Sequence, residues 1–123
     1  MNYLWIALGA VAGASARYFL SGYIARTVAT SFPLGTLIIN VTGSLVLGFF
    51  LILASERMLL NPHWRMLIAV GFCGSYTTFS SFAFESFAQM ENGQWLAMSL
   101  NIVGSNALCL AAVVAGAALA RGL

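Results

Sequence analysis

The sequence carries very few charged side chains. Its 123 residues include no aspartate and no lysine, and charged residues make up only 7% of the chain. A soluble domain usually carries about 25% charged residues, so this chain has too few charges to cover a globular surface in water. Hydrophobic residues make up 61% and the mean hydropathy is +0.93. The composition therefore predicts an integral membrane protein.

Residue types that bind metals or catalyse reactions are also scarce. The one histidine, His63, and the two cysteines, Cys73 and Cys109, do not have the spacing of metal ligands. We interpret the cysteines as small apolar residues within spans and His63 as a loop residue. The three carboxylates are predicted in or near loops: Glu56, Glu85 and Glu91. Because no base is placed to activate a serine or threonine, we do not expect an enzyme.

Long apolar stretches dominate what remains. A membrane-spanning helix needs about 20 mostly apolar residues, so the length suits four spans with short loops, all within one transmembrane domain, 1–123. The predicted spans are roughly 3–24, 33–53, 64–90 and from Trp95 onward. The start, "MNYLW", lacks the positive region of a signal peptide, so we interpret the first span as retained.

The arginines are distributed almost evenly between the two ends of the predicted spans. If the helices alternate in direction, three lie on one side (Arg57, Arg65, Arg121) and two on the other (Arg17, Arg26). An excess of positive charge normally fixes the orientation of a membrane protein, and here there is almost none. The balance predicts insertion in both orientations, the alternative being a weak preference for one side. Two inverted copies can then form an antiparallel dimer. Such a dimer would supply the pair of inverted repeats that many transport folds contain within one chain.

Polar residues recur at helical spacing inside two spans. On the second span they are Thr36, Asn40 and Ser44, and on the fourth they are Asn101, Ser105 and Cys109. These stripes fit either hydrogen bonding between helices, worth about 1 kcal/mol per bond, or a lined pathway. Small residues offer faces for close helix packing: Gly9 and Gly13, and Ala112, Gly116 and Ala120.

The stretch "GFCGSYTTFSSF", residues 71–82, interrupts the third span with two glycines and six hydroxyl side chains. The polar groups of the spans are mostly donors, and the rings of Phe79 and Phe82 have positive edges that can face an anion. A cation pathway would more naturally use rings of carboxylates or converging carbonyls. The pattern therefore predicts a pathway for a small anion that accepts strong hydrogen bonds.

Three motifs, in this order, resemble the Fluc (CrcB) family of fluoride channels: "GASARY" (13–18), "PLGTLIINVTGS" (33–44) and "GFCGSYTTFSSF". The resemblance implies an all-α membrane protein of four transmembrane helices, the third broken mid-membrane, that forms an antiparallel dual-topology homodimer. It implies a passive, fluoride-selective channel with two pores, located in a bacterial inner or plasma membrane. It also implies a structural sodium ion at the centre of the dimer.

The resemblance assigns roles to particular residues. Those of the fluoride pathway are Arg17, Thr36, Asn40, Phe79, Ser80, Phe82, Asn101 and Ser105. The backbone carbonyls of Gly74 and Thr77 match the positions that hold the sodium ion. Asn101 departs from the family, which typically has tyrosine at this position, whereas Ser105 fits the serine that follows one turn later.

The partners implied are fluoride, a second copy of the chain and the lipid bilayer, and no nucleic acid. An alternative is a small four-helix multidrug exporter, which also forms dual-topology dimers. Such an exporter needs a carboxylate in its first span, and residues 3–24 contain none. A third interpretation, a membrane assembly factor that transports nothing, would need neither the two polar stripes nor the broken helix.

Overall fold

In the computed structural model, which describes residues 1–56 and 61–123, these residues form four helical spans. The first two are α1 (Asn2–Thr27) and α2 (Leu34–Ser55), the third runs over Pro62–Glu91, and the fourth is α6 (Trp95–Gly122). Each is long and apolar enough to cross a membrane. The predicted four spans are confirmed.

The third span is built from four helical pieces. They are α3 (Pro62–Trp64), a π-helix (Arg65–Cys73), α4 (Gly74–Tyr76) and α5 (Phe79–Glu91). Between α4 and α5 the chain is extended, with ψ of 155° at Thr77 and 112° at Thr78. The predicted break in the third helix is confirmed, and it lies at these two threonines. His63, predicted in a loop, lies instead in the short helix α3.

Thr78 begins the second half of the span as a helix cap. Its side-chain Oγ1 accepts a hydrogen bond from the backbone N–H of Ser81 at 3.2 Å. Such a cap satisfies one of the N–H groups that the first turn of a helix leaves without a partner. The break is therefore a defined stop and restart of the helix.

Glycines allow the helices to pack backbone to backbone. α1 packs against the π-helix, where a Cβ at Gly9 would lie 2.0 Å from the carbonyl oxygen of Leu67. α2 packs against α6, where a Cβ at Gly116 would lie 2.2 Å from the carbonyl oxygen of Leu45. Both distances are far below van der Waals contact, so only glycine fits at these positions. The predicted close-packing faces are confirmed for these glycines.

Two contacts show that alternate helix ends meet. The ring of Trp5, near the start of α1, stacks on His63 with centroids 5.3 Å apart. At the same end of the bundle, Arg121 of α6 forms an exposed ion pair with Glu56, directly after α2, at 2.7 Å. The helices therefore alternate in direction, as the arginine count assumed. Arg57, one of the counted arginines, lies outside the described residues.

Candidate ion pathway

The side-chain amide of Asn40, in the first half of α2, binds the broken backbone of the third span. Its Nδ2 donates to the carbonyl oxygen of Thr78 at 3.0 Å, and its Oδ1 accepts from the N–H of Thr78 at 2.8 Å. A side-chain amide has a donor and an acceptor side by side, so it can pair with the N–H and the carbonyl of one residue, as a neighbouring antiparallel strand would. Asn40 thereby supplies the hydrogen bonds that the extended residue cannot make within a helix.

This arrangement frees two backbone carbonyls just before the break. In a continuous α-helix the carbonyl of Gly74 would accept from the N–H of Thr78, and that of Thr77 from the N–H of Ser81. Here Thr78 donates to Asn40 Oδ1 and Ser81 donates to Thr78 Oγ1. The carbonyls that lose their helical donors are those of Gly74 and Thr77, the two that the family resemblance assigns to a cation.

Beside the break lies a groove of about 330 Å³ between α2, α5 and α6, called the phenylalanine groove below. Its walls include Asn40, Ser44, Thr77, Thr78, Phe79, Phe82, Ser105, Asn106 and Cys109. The rings of Phe79 and Phe82 lie 5.4 Å apart at an interplanar angle of 52°. Phe79 is 76% exposed and Phe82 only 9%. The groove therefore has one fixed aromatic wall and one that opens at the protein surface.

A larger groove of about 610 Å³ lies between α1, α2 and α5, called the arginine groove below. Its polar lining consists of Arg17, Tyr18, Ser21, Arg26, Thr36, Thr78, Ser81 and Glu85. Thr78 lines both grooves. The polar stripe of α2 thus runs from Thr36 in the arginine groove to Asn40 and Ser44 in the phenylalanine groove, with the helix break at the junction.

Glu85 does not lie in or near a loop, contrary to the sequence-based expectation. It lies within α5, and its Oε1 accepts a hydrogen bond from the hydroxyl of Thr36 at 2.6 Å. Its buried Oε2 has no hydrogen-bond partner among the described residues. The helix continues past Glu85 to Glu91 because no glycine or proline intervenes. An ionisable residue inside a span indicates function by default, and that signal was present in the sequence.

Asn101 lies between α5 and α6 and lines neither groove. Its side chain is 2% exposed and makes hydrogen bonds to two serines. Nδ2 donates to Ser86 Oγ at 3.0 Å, and Oδ1 accepts from Ser105 Oγ at 3.1 Å. Of the two interpretations of the polar stripes, hydrogen bonding between helices describes Asn101. Ser105 and Cys109 of the same stripe line the phenylalanine groove.

Of the remaining predicted pathway residues, all but Ser80 line one of the two grooves. Arg17 and Thr36 line the arginine groove, and Asn40, Phe79, Phe82 and Ser105 line the phenylalanine groove. Ser80 is exposed and lines neither, although its Oγ lies 3.5 Å from Thr78 Oγ1. Sequence reasoning missed the shared position of Thr78, and it missed Asn106. Only the packing of α6 against α2 brings Asn106 to the phenylalanine groove.

The chain matches a family model described as "CrcB-like protein, Camphor Resistance (CrcB)" over residues 4–117. A relative from Koribacter versatilis, named "Fluoride-specific ion channel FluC", is 54% identical over 122 residues, which cover 99% of this chain and 97% of the relative.

Two further relatives carry the same printed name. One, from Solibacter usitatus, is 46% identical and is aligned over 98% of this chain and 99% of its own length. Another, from Coxiella burnetii, is 44% identical over the full length of both chains. With a family model that spans nearly the whole chain and relatives of this similarity, the chain belongs to the CrcB family.

Proposed function

We propose that the protein is a passive, fluoride-selective channel. One observation carries the proposal: the polar stripe of α2 lines both grooves, and Thr78 at the helix break lies in the wall of each. The relatives are named as fluoride-specific channels, and their similarity extends over the whole of this pathway. A channel needs such a line of groups to replace water around an ion as it crosses the membrane.

Apart from Glu85, which accepts the hydroxyl proton of Thr36 in the arginine groove, the groups along this line suit an anion better than a cation. Arg17 lies in the arginine groove and raises the local concentration of anions there. Further along, one N–H of the Asn40 amide is bound to Thr78, and its second N–H remains to face the groove. The positive edges of the Phe79 and Phe82 rings complete the donor set. Small anions that accept strong hydrogen bonds gain most from such groups.

The active form that we propose is an antiparallel homodimer. Phe79, a wall of the phenylalanine groove, is 76% exposed in the single protomer, so one chain does not enclose the groove. The near balance of arginines between the two ends supports insertion in both orientations. A second, inverted copy against this face would close the groove and generate two equivalent pathways.

The freed carbonyls fit a small hard cation at the centre of that dimer. Gly74 is exposed, and the carbonyls of Gly74 and Thr77 lack their helical donors. Two copies would supply four oxygens of the kind that hard cations prefer. These residues would hold a sodium ion. Their carbonyl oxygens would coordinate it, so they would not be left without a partner where they are buried between subunits. The ion belongs to the dimer and is not transported.

A liposome efflux assay tests the function. Liposomes that contain the purified protein and are loaded with fluoride should release it down its gradient without ATP, and should retain chloride under the same conditions. Because Glu85 lies inside a span, the assay is repeated with and without a proton gradient. Equal fluxes of the two halides, or transport that requires the proton gradient, would contradict the proposal.

The dimer has a separate test in the arginine balance. Two or three arginines added after α6 and in the loop that follows α2 should force one orientation. Fluoride transport by this biased protein should then be largely lost. Co-expression with a copy biased in the opposite direction should restore it. Full transport by a strongly biased protein expressed alone would rule out the antiparallel dimer.

A further inference from the structure

A chain of hydrogen bonds joins two walls of the phenylalanine groove through side chains outside it. Ser105 Oγ donates to Asn101 Oδ1 at 3.1 Å, and Asn101 Nδ2 donates to Ser86 Oγ at 3.0 Å. Ser86 Oγ then donates to the backbone carbonyl oxygen of Phe82 at 2.8 Å. Ser105 and Phe82 line the groove, whereas Asn101 and Ser86 are buried between α5 and α6.

The direction of this chain determines what Ser105 presents to the groove. A serine hydroxyl has a single proton and two lone pairs. Because the proton of Ser105 is donated to Asn101, only lone pairs remain to face the groove. Lone pairs repel an anion, so this arrangement suits the groove when it holds no anion.

We propose that Asn101 is a positioning residue that reverses the polarity of Ser105 when an anion occupies the phenylalanine groove. This inference rests on the proposed function. A half-turn of the Asn101 amide exchanges Nδ2 and Oδ1, which are nearly equal in size. Nδ2 then donates to Ser105 Oγ, and Oδ1 accepts from Ser86 Oγ. The proton of Ser105 is released from Asn101 and points into the groove.

The count of hydrogen bonds explains why the reversal depends on the anion. The observed arrangement has three bonds, ending on the carbonyl of Phe82. After the half-turn, Ser86 gives its proton to Asn101, so the bond to Phe82 is lost and two bonds remain within the protein. The bond from Ser105 to the anion restores the third. Bonds to charged groups are roughly twice as strong as neutral ones, so the reversed arrangement prevails only when the anion accepts well.

The reversal therefore favours fluoride over chloride. Fluoride, the smallest halide, accepts the strongest hydrogen bond, whereas chloride compensates less for the lost bond to Phe82. Asn101 would achieve this without touching the ion. In this chain of hydrogen bonds, Asn101 favours fluoride over chloride by controlling which group Ser105 presents to the groove.

The experiment measures fluoride efflux over a range of fluoride concentrations for Ser86→Ala, alone and combined with Ser105→Ala. Ser86→Ala removes the hydrogen bond to the carbonyl of Phe82, which keeps the chain of hydrogen bonds in its observed direction. The half-saturating fluoride concentration should fall by about fivefold, the factor that corresponds to one ordinary hydrogen bond. In the Ser105→Ala background, Ser86→Ala should have no effect. Ser86→Thr, which keeps the hydroxyl, should behave as the wild type, as should Ser99→Ala on the exposed face of α6.

The outcomes separate the two proposals. If the wild type carries fluoride but Ser86→Ala has the same effect with and without Ser105, then Ser86 only holds Phe82 in place, and the inference about Asn101 is wrong. An unchanged half-saturating concentration in Ser86→Ala also overturns it. If the wild type carries no fluoride, the proposed function itself fails, and this inference fails with it.

Discussion

Asn40 and Asn101 both have side-chain amides that link the third span to a neighbouring helix, and they bind different kinds of group. Asn40 pairs with the backbone N–H and carbonyl of one residue, Thr78. Asn101 pairs with two serine hydroxyls, Ser86 and Ser105. A peptide group cannot rotate about its own axis to find other partners, but a hydroxyl can. Asn40 therefore fixes a single backbone geometry, whereas Asn101 lies in a network whose direction can reverse.

The largest effect should come from Asn40→Asp. An aspartate oxygen would replace Nδ2, 3.0 Å from the carbonyl oxygen of Thr78, so two acceptors would face each other. An unpaired buried group costs about 1–3 kcal/mol. We expect a lower unfolding temperature in detergent, together with a fluoride flux reduced by more than about tenfold, as about 1.4 kcal/mol in a barrier would give.

Asn106→Asp is the matched control for this substitution. Asn106 lines the same groove but is exposed, and its amide donates only to the carbonyl of Ile102, one turn earlier on its own helix. The aspartate adds a charge to the groove without breaking the pairing at Thr78. If both variants lose the same amount of flux and neither is destabilised, the effect of Asn40→Asp comes from the added charge alone.

Gly74→Val tests whether the carbonyls freed by Asn40 are used between subunits. A Cβ at Gly74 would meet nothing closer than the carbonyl oxygen of Ala69 at 4.0 Å, so the protomer should fold. The valine would obstruct a partner chain at the break, and we expect dimer to be largely lost in size-exclusion chromatography. Gly104→Val places the same side chain on α6, with nothing within 4 Å, and should remain dimeric.

Thr77→Ser is the mild companion of that substitution. It keeps the hydroxyl that donates to the carbonyl of Cys73 at 2.9 Å, and it leaves the backbone unchanged. The dimer and the flux should both be close to those of the wild type.

A normal dimer in Gly74→Val would contradict a cation site on the dimer axis.

Each of the two phenylalanines is next to one of these amide contacts. Phe79 directly follows Thr78, which Asn40 binds, and the carbonyl of Phe82 is the last acceptor in the chain of hydrogen bonds that runs through Asn101. Phe79→Ile and Phe82→Ile should each lower flux, because both remove ring edges. Only Phe82→Ile should also lower stability, by up to about 1.5 kcal/mol for such a hydrophobic swap in a packed position. Phe84→Ile, on the same helix and 69% exposed, is the control and should leave flux unchanged.

A small difference in stability should separate Asn101→Leu from Asn40→Leu in denaturant unfolding. Leucine removes the hydrogen bonds at similar volume in both positions. At Asn40 it strands a backbone N–H and a carbonyl. At Asn101, Ser86 keeps its bond to the carbonyl of Phe82, and the hydroxyl of Ser105 can turn to a backbone carbonyl one helical turn back. We expect Asn40→Leu to cost more, by about 1 kcal/mol, the value of an ordinary hydrogen bond. A larger cost at Asn101 would contradict the comparison between the two amides.

The sequence predicted the four spans and the broken third helix because both depend on local composition. Apolar runs of sufficient length must be helical in a bilayer, and a cluster of glycine and hydroxyl residues weakens a helix wherever it occurs. Glu85 was misjudged although the sequence around it is compatible with a helix, since no glycine or proline lies between it and Glu91. Only its hydrogen-bond partner, Thr36, comes from a different span. No local pattern reveals that partner.

By itself, the sequence determined that this is a chain of four membrane spans, with a polar break in the third and polar stripes on the second and fourth. Only the tertiary structure decided what those stripes do. Two asparagines at helical spacing are equivalent in a linear pattern, but α2 brings Asn40 to an extended peptide, while α6 brings Asn101 to two serines. The physical reason is that an amide takes its role from the groups opposite it, and the packing of the helices determines which groups those are.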